Sequence, residues 1–504
     1  MRTGFAAHVV GMTVAAIGIA CPAWAQHPAA PPTGPKPQAS TEQVHVPVEL
    51  NLVVPGGLTA EQVGARAAAT SYTAKAAEAA LRGAAERVDA AWVSFLPRLS
   101  ATARYTRLSS FTPPSLFGAP AGINGVSTTS PPGKIPAGAD TFLSSPQPNF
   151  TFPIVLDNFL LQATIIVPIS DYFLRINQNY TSATHAQDAA RFDAATARAR
   201  SGADGKVSFY TWLRARGAVV VATQALNDQR NHLTDAKNQF AVGNASRADV
   251  LRAETAVAAA ELQVARSINL SDLTEKQVRV AMHAKDEEHV APGENIDAPP
   301  PAFQGNLTQL TQEALSSRLE IKSIDANAEA TRQLVNVAKA GRYPVVSAFG
   351  DGIYANPNPR VFPSTSTWFP TWDVGAQATW AINDALLAGY SAGDVESRLA
   401  GLDAQRGATR DGVEIEVTQA YQAVKESDVA LESTKRELAS ASEAYRVARE
   451  LFNNGRATST TLTDAETELT RARLDALNAT ADARIARVRL DHALGRDAKL
   501  APTP

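Results

Sequence analysis

The sequence predicts a mainly α-helical protein with a smaller β-barrel part, built as two tandem repeats of long helical hairpins and paired strands. Three observations carry this reading. Phe240, Gly243, Ala245, Ala253, Glu254 and Thr255 return 212 positions later as Phe452, Gly455, Ala457, Ala465, Glu466 and Thr467, and self-similarity at a fixed offset marks a repeated architecture. The series Val219, Leu226, Leu233, Phe240 and its echo Leu431, Leu438, Tyr445, Phe452 step by seven, the spacing that keeps one apolar stripe against a partner helix. Stretches of about ten residues instead alternate apolar and polar, the period of a strand with one dry and one wet face.

The elements follow in order. Arg2, the apolar run from Val9 to Ala20, and Ala23-Trp24-Ala25 before Gln26 read as a signal peptide over residues 1–25. Cys21, the only cysteine, precedes that cut, so the mature chain has no thiol. A rival cut would make Cys21 a lipidated N-terminus; Gly18, where such signals usually carry Leu, and Pro22 speak against it. Residues 26–57 are rich in Pro and Ala and form a flexible lead-in.

The first repeat spans 58–286. A helix from Thr59 to about Ala91 stops at Pro97. Strands near 98–107 and 160–170 flank a loop from about Ser109 to Pro153 that is packed with Pro, Ser, Thr and Gly. A long helical stretch then runs to Phe240, and a return helix covers Ser246 to Ala284. Residues 287–306 are a polar, proline-rich linker, and the second repeat spans 307–497. Its helix from Leu307 to Ala340 stops at Pro344, strands near 345–355 and 373–383 flank a loop from Asn356 to Thr371, and a long helix to Phe452 is followed by a return helix over Thr460 to Leu494. Residues 498–504 are a tail. Gly202 and Gly205 in one long helix, and Gly401, Gly407 and Gly412 in the other, predict a break or bend near their starts.

In the first strand Leu99, Ala101, Ala103 and Tyr105 alternate with Ser100, Thr102, Arg104 and Thr106. Strands of this length suit a tilted bilayer crossing, with the polar set facing a water-filled lumen; the alternative is the wet face of a soluble sheet. Four strands cannot close a barrel, since about eight is the smallest number that leaves no unpaired edge, so a spanning chain must oligomerise. Trp368, Trp372 and Trp380 fall within thirteen residues at the end of the last strand, as an aromatic belt at a headgroup boundary would place them; ordinary sheet packing is the alternative.

Composition narrows the classes. A net charge of −3 with 19% charged residues gives no electrostatic footprint for nucleic acid. No phosphate-cradling loop, nucleophile elbow or zinc-type spacing occurs, so neither an enzyme nor a cofactor is expected. His283 and His289 flank Asp286, Glu287 and Glu288, but a helix end entering a linker is where solvated charge belongs, and no metal is assigned.

The ordered layout of helix, proline, strand, loop, strand, long helix, glycine-bearing turn and return helix, twice over, resembles the TolC family of outer-membrane efflux channels from about residue 59 onward. Family-like stretches are Ala314-Leu315-Ser316-Ser317-Arg318-Leu319-Glu320, Gly243-Asn244-Ala245-Ser246-Arg247-Ala248-Asp249-Val250-Leu251, and Gly455-Arg456-Ala457-Thr458 leading to Ala465-Glu466-Thr467. The resemblance implies a homotrimer sharing a twelve-stranded barrel in outer-membrane lipid and a twelve-helix periplasmic barrel. It also implies a passive exit duct docked to a periplasmic adaptor and an inner-membrane pump. The turns at Gly243 and Gly455 would form the periplasmic tip. In the family acidic residues after the second turn ring the closed entrance; Asp464 matches one such position and Thr461 departs from another. Three copies of Asp464 would attract cations and raise one another's proton affinity; an acidic residue early in a helix also favours the dipole on its own. Asp249, three residues after Ser246, reads as half of a capping box. Drug efflux, metal-ion efflux and type I protein secretion share this component, so the cargo stays open. The competing class is a soluble periplasmic coiled-coil scaffold or adaptor, which leaves the matched amphipathic strands unexplained.

Overall fold

A computed structural model of the chain describes residues 54–110, 155–285 and 303–498, together with 288, 290–296, 298, 300 and 301 of the linker. The signal segment with Cys21, most of the lead-in, the loop after the first strand and the last residues of the tail lie outside the described residues. The first repeat contains α1 (Ala60–Thr70), α2 (Tyr72–Val93), β1 (Arg98–Arg107) and β2 (Asp157–Val167). A short α3 (Ile169–Asp171) then passes through a π-helical turn, Tyr172–Ile176, into α4 (Asn177–Ala241), and α5 (Arg247–Met282) returns. The second repeat contains α6 (Leu307–Ser317), α7 (Leu319–Ala340), β3 (Val345–Asn356), β4 (Phe369–Thr379), α8 (Ile382–Asn453) and α9 (Ser459–Ala493).

The repeat is closer than the sequence echo shows. From α1 through the first strand the offset is 247 positions (Ala60 to Leu307, Arg98 to Val345), and from the second strand onward it is 212 (Asp157 to Phe369, Arg247 to Ser459). The change of offset falls in the loop between paired strands, which is shorter in the second repeat, while every flanking element keeps its place.

Local chemistry sets the boundaries. Thr59 and Gln62 cap α1 reciprocally, with Thr59 N donating to Gln62 Oε1 at 3.0 Å and Gln62 N to Thr59 Oγ1 at 3.3 Å. The expected single helix from Thr59 to Ala91 is two, broken where Ser71 takes an extended backbone (ψ 134°) and its hydroxyl accepts from Thr73 N. The same break occurs at the equivalent Arg318 (ψ 124°). Neither position carries a proline or glycine, so helical periodicity gave no sign of it. The second and fourth strands begin and end three to four residues earlier than expected, at 157–167 and 369–379. Ile169 and Ile382, which continued the alternation, open helices instead.

The glycines do not break the long helices. Gly202 and Gly205 lie within unbroken α4 where α1 crosses it; a Cβ on Gly205 would meet Ala67 Cβ at 2.8 Å, and Gly64 opposite is equally crowded. They are contacts made close by the absence of side chains. Gly401, Gly407 and Gly412 sit in unbroken α8 and meet nothing within 4 Å.

Among the described residues two larger cores hold the helices together, with smaller clusters at Ala222, Leu226 and Val264 and at Ala448, Phe452 and Leu462. One gathers Val63 of α1, Phe209, Trp212 and Leu213 of α4, Val278 and Met282 of α5, Leu477 and Ala481 of α9, and Val290 and Ile296 of the linker. The other joins Leu310 of α6, Ile321 of α7, Val417 and Val424 of α8, and Leu490 and Leu494 of α9. The linker is a strap, not a loose tether. Glu294 accepts from Ala60 N at 3.2 Å and from the Tyr210 hydroxyl at 3.0 Å, and it pairs with Arg484, which also donates to Asn295 O and Ala298 O. Burial and the neighbouring Glu294 carboxylate push the Tyr210 phenol up to about 12.

Candidate functional site: the sheet face, the helical flanks and the tips

The four strands form one antiparallel sheet in the order β1-β2-β3-β4, with β1 and β4 as free edges. Register places residues of one parity side by side. Leu99 pairs with Ile165, Ile165 with Gly350 and Gly350 with Val374; Ala103 pairs with Leu161, Leu161 with Tyr354 and Tyr354 with Pro370. One face is therefore apolar from edge to edge. It is also bare: Leu99 is 78% and Val374 74% exposed. Ser100, Thr102, Arg104 and Thr106 fall together on the opposite face. Gln162, Thr164, Asp351, Asp373 and Gln377 join them there, with Leu160, Ile166, Phe349 and Ile353 between. Asp351 accepts from Gln162 Nε2 at 2.9 Å and from the Thr164 hydroxyl. A sheet that shows water a continuous apolar face of this extent has another medium against it. Among the described residues no helix is long and apolar enough to cross a membrane.

Aromatic side chains border the apolar face at both ends. At the loop end, Tyr105 and Phe159 have ring centroids 5.0 Å apart, Phe159 and Trp368 6.0 Å, and Tyr354 stacks on Trp368 at 4.8 Å, so one row crosses all four strands. At the helix end Trp92, Phe173, Tyr343, Trp380 and Tyr390 are exposed where helices and strands join. The three tryptophans picked from sequence consequently do not gather at one level. Trp368 precedes β4, Trp372 stands within it and Trp380 follows it. Sequence reasoning missed Tyr105, Phe159 and Tyr354, because only the strand register reveals that they align.

At the far ends of the long helices, α4 turns into α5 over Val242–Ser246 and α8 into α9 over Asn454–Thr458. Gly243 and Gly455 adopt φ of +80° and +68°, the left-handed geometry that closes a helix C-terminus, and Asn244 N and Arg456 N reach back to Gln239 O and Leu451 O at 2.9 and 2.8 Å. Asp249 forms the capping box with Ser246, its N–H donating to Ser246 Oγ at 3.2 Å while its carboxylate accepts from Ser246 N at 3.0 Å. The Ser246 hydroxyl, donating to Asp249 Oδ2 at 2.6 Å, and then the Ser246 N–H hold the Asp249 carboxyl below its ordinary range. Thr461 occupies the matching position in the second turn, its N–H donating to Thr458 Oγ1 at 3.2 Å. Asp464 is exposed one turn into α9. Just behind the tips His232 of α4 lies buried against Glu466 and Ser459 of α9, a cluster the sequence reading passed over.

The long helices differ in what covers them. α4 packs against α1, α2 and α5 on one side and α7 and α9 on the other, whereas α8 packs against α6, α7 and α9. Leu387, Tyr390, Ile415 and Val429 of α8 are exposed, as are Leu251, Leu262, Leu270, Leu273 and Val280 of α5.

Arg318, in the family-like stretch named above, is nearly buried. It pairs with Glu416 of α8 at 2.9 Å and Glu320 at 3.0 Å and donates to His492 O and Ala493 O at the end of α9, locking the second repeat's helices together. Among the described residues no group of histidine, cysteine or carboxylate side chains could hold a metal. His283 stacks edge-on against Tyr72, and Glu288 pairs with Arg66; Asp286, Glu287 and His289 lie outside the described residues.

The family model for outer membrane efflux proteins matches residues 65–282 and 310–496, one segment per repeat. The chain belongs to the outer membrane efflux protein family. It is an outer-membrane efflux channel with a large periplasmic helical part, of the TolC-like class, and not an enzyme. Solved structures agree in fold. The Vibrio cholerae outer membrane protein VceC is 17% identical, covering 86% of this chain and 96% of its own, with a TM-score of 0.66. The Campylobacter jejuni CmeC outer membrane channel is 15% identical over 90% of both chains, TM-score 0.68. The open state of the Neisseria gonorrhoeae MtrE outer membrane channel is 16% identical over 86% and 88%, TM-score 0.67. No curated protein sequence matches the chain. Membership of the outer membrane efflux protein family sets a soluble scaffold aside.

Proposed function

We propose that three copies of this chain close into one passive exit duct, a shared β-barrel in the outer membrane continued by a helical barrel in the periplasm, whose tips meet a periplasmic adaptor and an inner-membrane pump. One observation carries the reading. Two contacts between the two repeats inside the chain have uncovered counterparts at its two ends. Within the chain β2 pairs with β3 and α4 packs on α9. By the repeat offset, the same contacts one step further along would join β4 to a β1, and α8 to an α5, of another copy. Those are the free strand edges and the bare apolar helix flanks. A head-to-tail contact of this kind generates a ring, and twelve strands exceed the roughly eight a barrel needs.

In that ring Ser100, Thr102, Arg104 and Thr106 face the lumen, and Trp368, Trp372 and Trp380 face lipid, the first and last at its two boundaries. Gly243 and Gly455 shape the periplasmic mouth, and the exposed Asp464 of each copy rings it, with Thr461 and Asp249 capping the helices beside it. In this reading the duct is passive and the inner-membrane pump supplies the energy. The test is native mass in mild detergent with bilayer conductance. A mass of three chains and a conductance whose cation preference falls in Asp464→Ala support the duct; a monomer that does not conduct sinks it.

A further inference from the structure

His232, Glu466 and Ser459 are 2%, 4% and 6% exposed, and they lie across the seam between α4 and α9 immediately behind the tips. His232 Nδ1 lies 3.1 Å from Glu466 Oε2 and Nε2 lies 3.1 Å from Ser459 Oγ, while the Phe452 ring meets the imidazole edge-on at 5.4 Å. A carboxylate and an imidazole removed from water must balance each other's charge, and here they are neutral together only when the pair carries one proton on either side. The repeat makes the arrangement asymmetric. Glu466 corresponds to Glu254, which is half exposed and points to Lys237 of its own hairpin at 3.6 Å; the positions matching His232 and Ser459 are Ala444 and Arg247.

We infer that His232 is a positioning residue: with Glu466 and Ser459 it latches the second hairpin to the first, so that the two tips of one chain move as a single body. The trimer of the proposed duct has no such latch between chains, since Ala444 and the exposed Glu254 would face one another there; that corollary alone rests on the duct reading. The charged and titratable neighbours are otherwise engaged or apart: Asp228 of α4 is held by Arg473 of α9 at 3.1 Å, Asp249 of α5 by Ser246 and Arg252, and Tyr445 and Arg449 stand on α8.

The test is amide hydrogen exchange of the full chain in detergent, read as protection of residues 228–236 and 459–470. His232→Leu strands Glu466 and is expected to lower protection there by roughly tenfold or more, and His232→Leu combined with Glu466→Leu to restore it. Glu466→Gln keeps the shape of the site and a hydrogen bond to His232, and its protection is expected to stay nearer wild type than that of the single leucine variant. A single leucine variant as protected as wild type, a double variant as loose as the single, or a Glu466→Gln protein as loose as the single leucine variant would each overturn the latch. Normal latch behaviour in a protein that does not conduct would remove the duct and leave the latch standing.

Discussion

The two long helices are repeat mates, yet eighteen of the 65 residues of α4 are buried against nine of the 72 in α8. Composition does not separate them; both carry apolar residues at seven-residue spacing. Position does. α4 lies between two sets of helices from its own chain and α8 at the end of the array, so Val219 and Leu226 are covered while Tyr390 and Val429 stand 82% and 71% exposed. Their glycines tell the same story, filled by Gly64, Ala67 and Leu477 along α4 and facing open space along α8. A heptad seam read from sequence thus specifies a partner without saying whether that partner belongs to the same molecule.

The comparison breaks most sharply at the centre of α4. Trp212→Ala empties a fully buried site ringed by Phe209 and Leu213 and is expected to cost about 3–5 kcal/mol, enough to lose the folded chain; thermal unfolding followed by circular dichroism reads it. On α8 the expected failure is of a different kind. Val429→Asp should leave the helical signal and melting of a single chain intact while shifting native mass from three chains to one, because in the proposed trimer the substituted side chain meets only the neighbour's flank. A full trimer in that variant would show that α8 does not face another copy.

Glycine substitutions sharpen the contrast at a smaller scale. Gly205→Ala forces its methyl onto Ala67 Cβ and is expected to destabilise by about 1–3 kcal/mol. Gly401→Ala on α8 meets nothing in the chain and should raise helix stability by up to about 1 kcal/mol in a monomer, so any loss it causes in detergent reports the neighbour's approach.

How much of this was legible in the sequence follows from the range of each signal. The hairpins, their turns at Gly243 and Gly455 and the first and third strands were readable, because periodicity, prolines and αL glycines act within a few residues. The breaks at Ser71 and Arg318 were not: a lone serine inside a helical pattern is a weak mark even though Ser71 caps α2, and Arg318 makes no cap bond at all. The last strand was drawn too far along because Trp380 and Ile382 continue an alternation that ends at Thr379; the helix starting at Ile382 took them. His232 and Glu466 sit on helices 234 positions apart, and nothing short of the α4–α9 crossing brings them together.

The smallest expected effect lies at the end of α9, where the second repeat is closed by short-range charge. His492 Nδ1 lies 2.8 Å from Asp497 Oδ2, and this bond, opposed in part by burial, raises the imidazole above its ordinary value of 6.5. A proton bound more tightly in the folded state stabilises that state. The contribution is fully present below pH 6.5 and fades as pH rises through the raised folded value. Asp497→Asn should therefore melt lower than the unsubstituted chain at pH 6 and approach it at higher pH, with a difference of about 1 kcal/mol at most for a partly buried pair. Because α8 depends on α9 and its companions α6 and α7 for all its cover within the chain, loosening the α9 end should appear as faster exchange near Val413 and Val417 before any change in α4. Equal acceleration in both long helices would mean that the two cores melt as one unit, and that the difference between α4 and α8 is one of exposure alone.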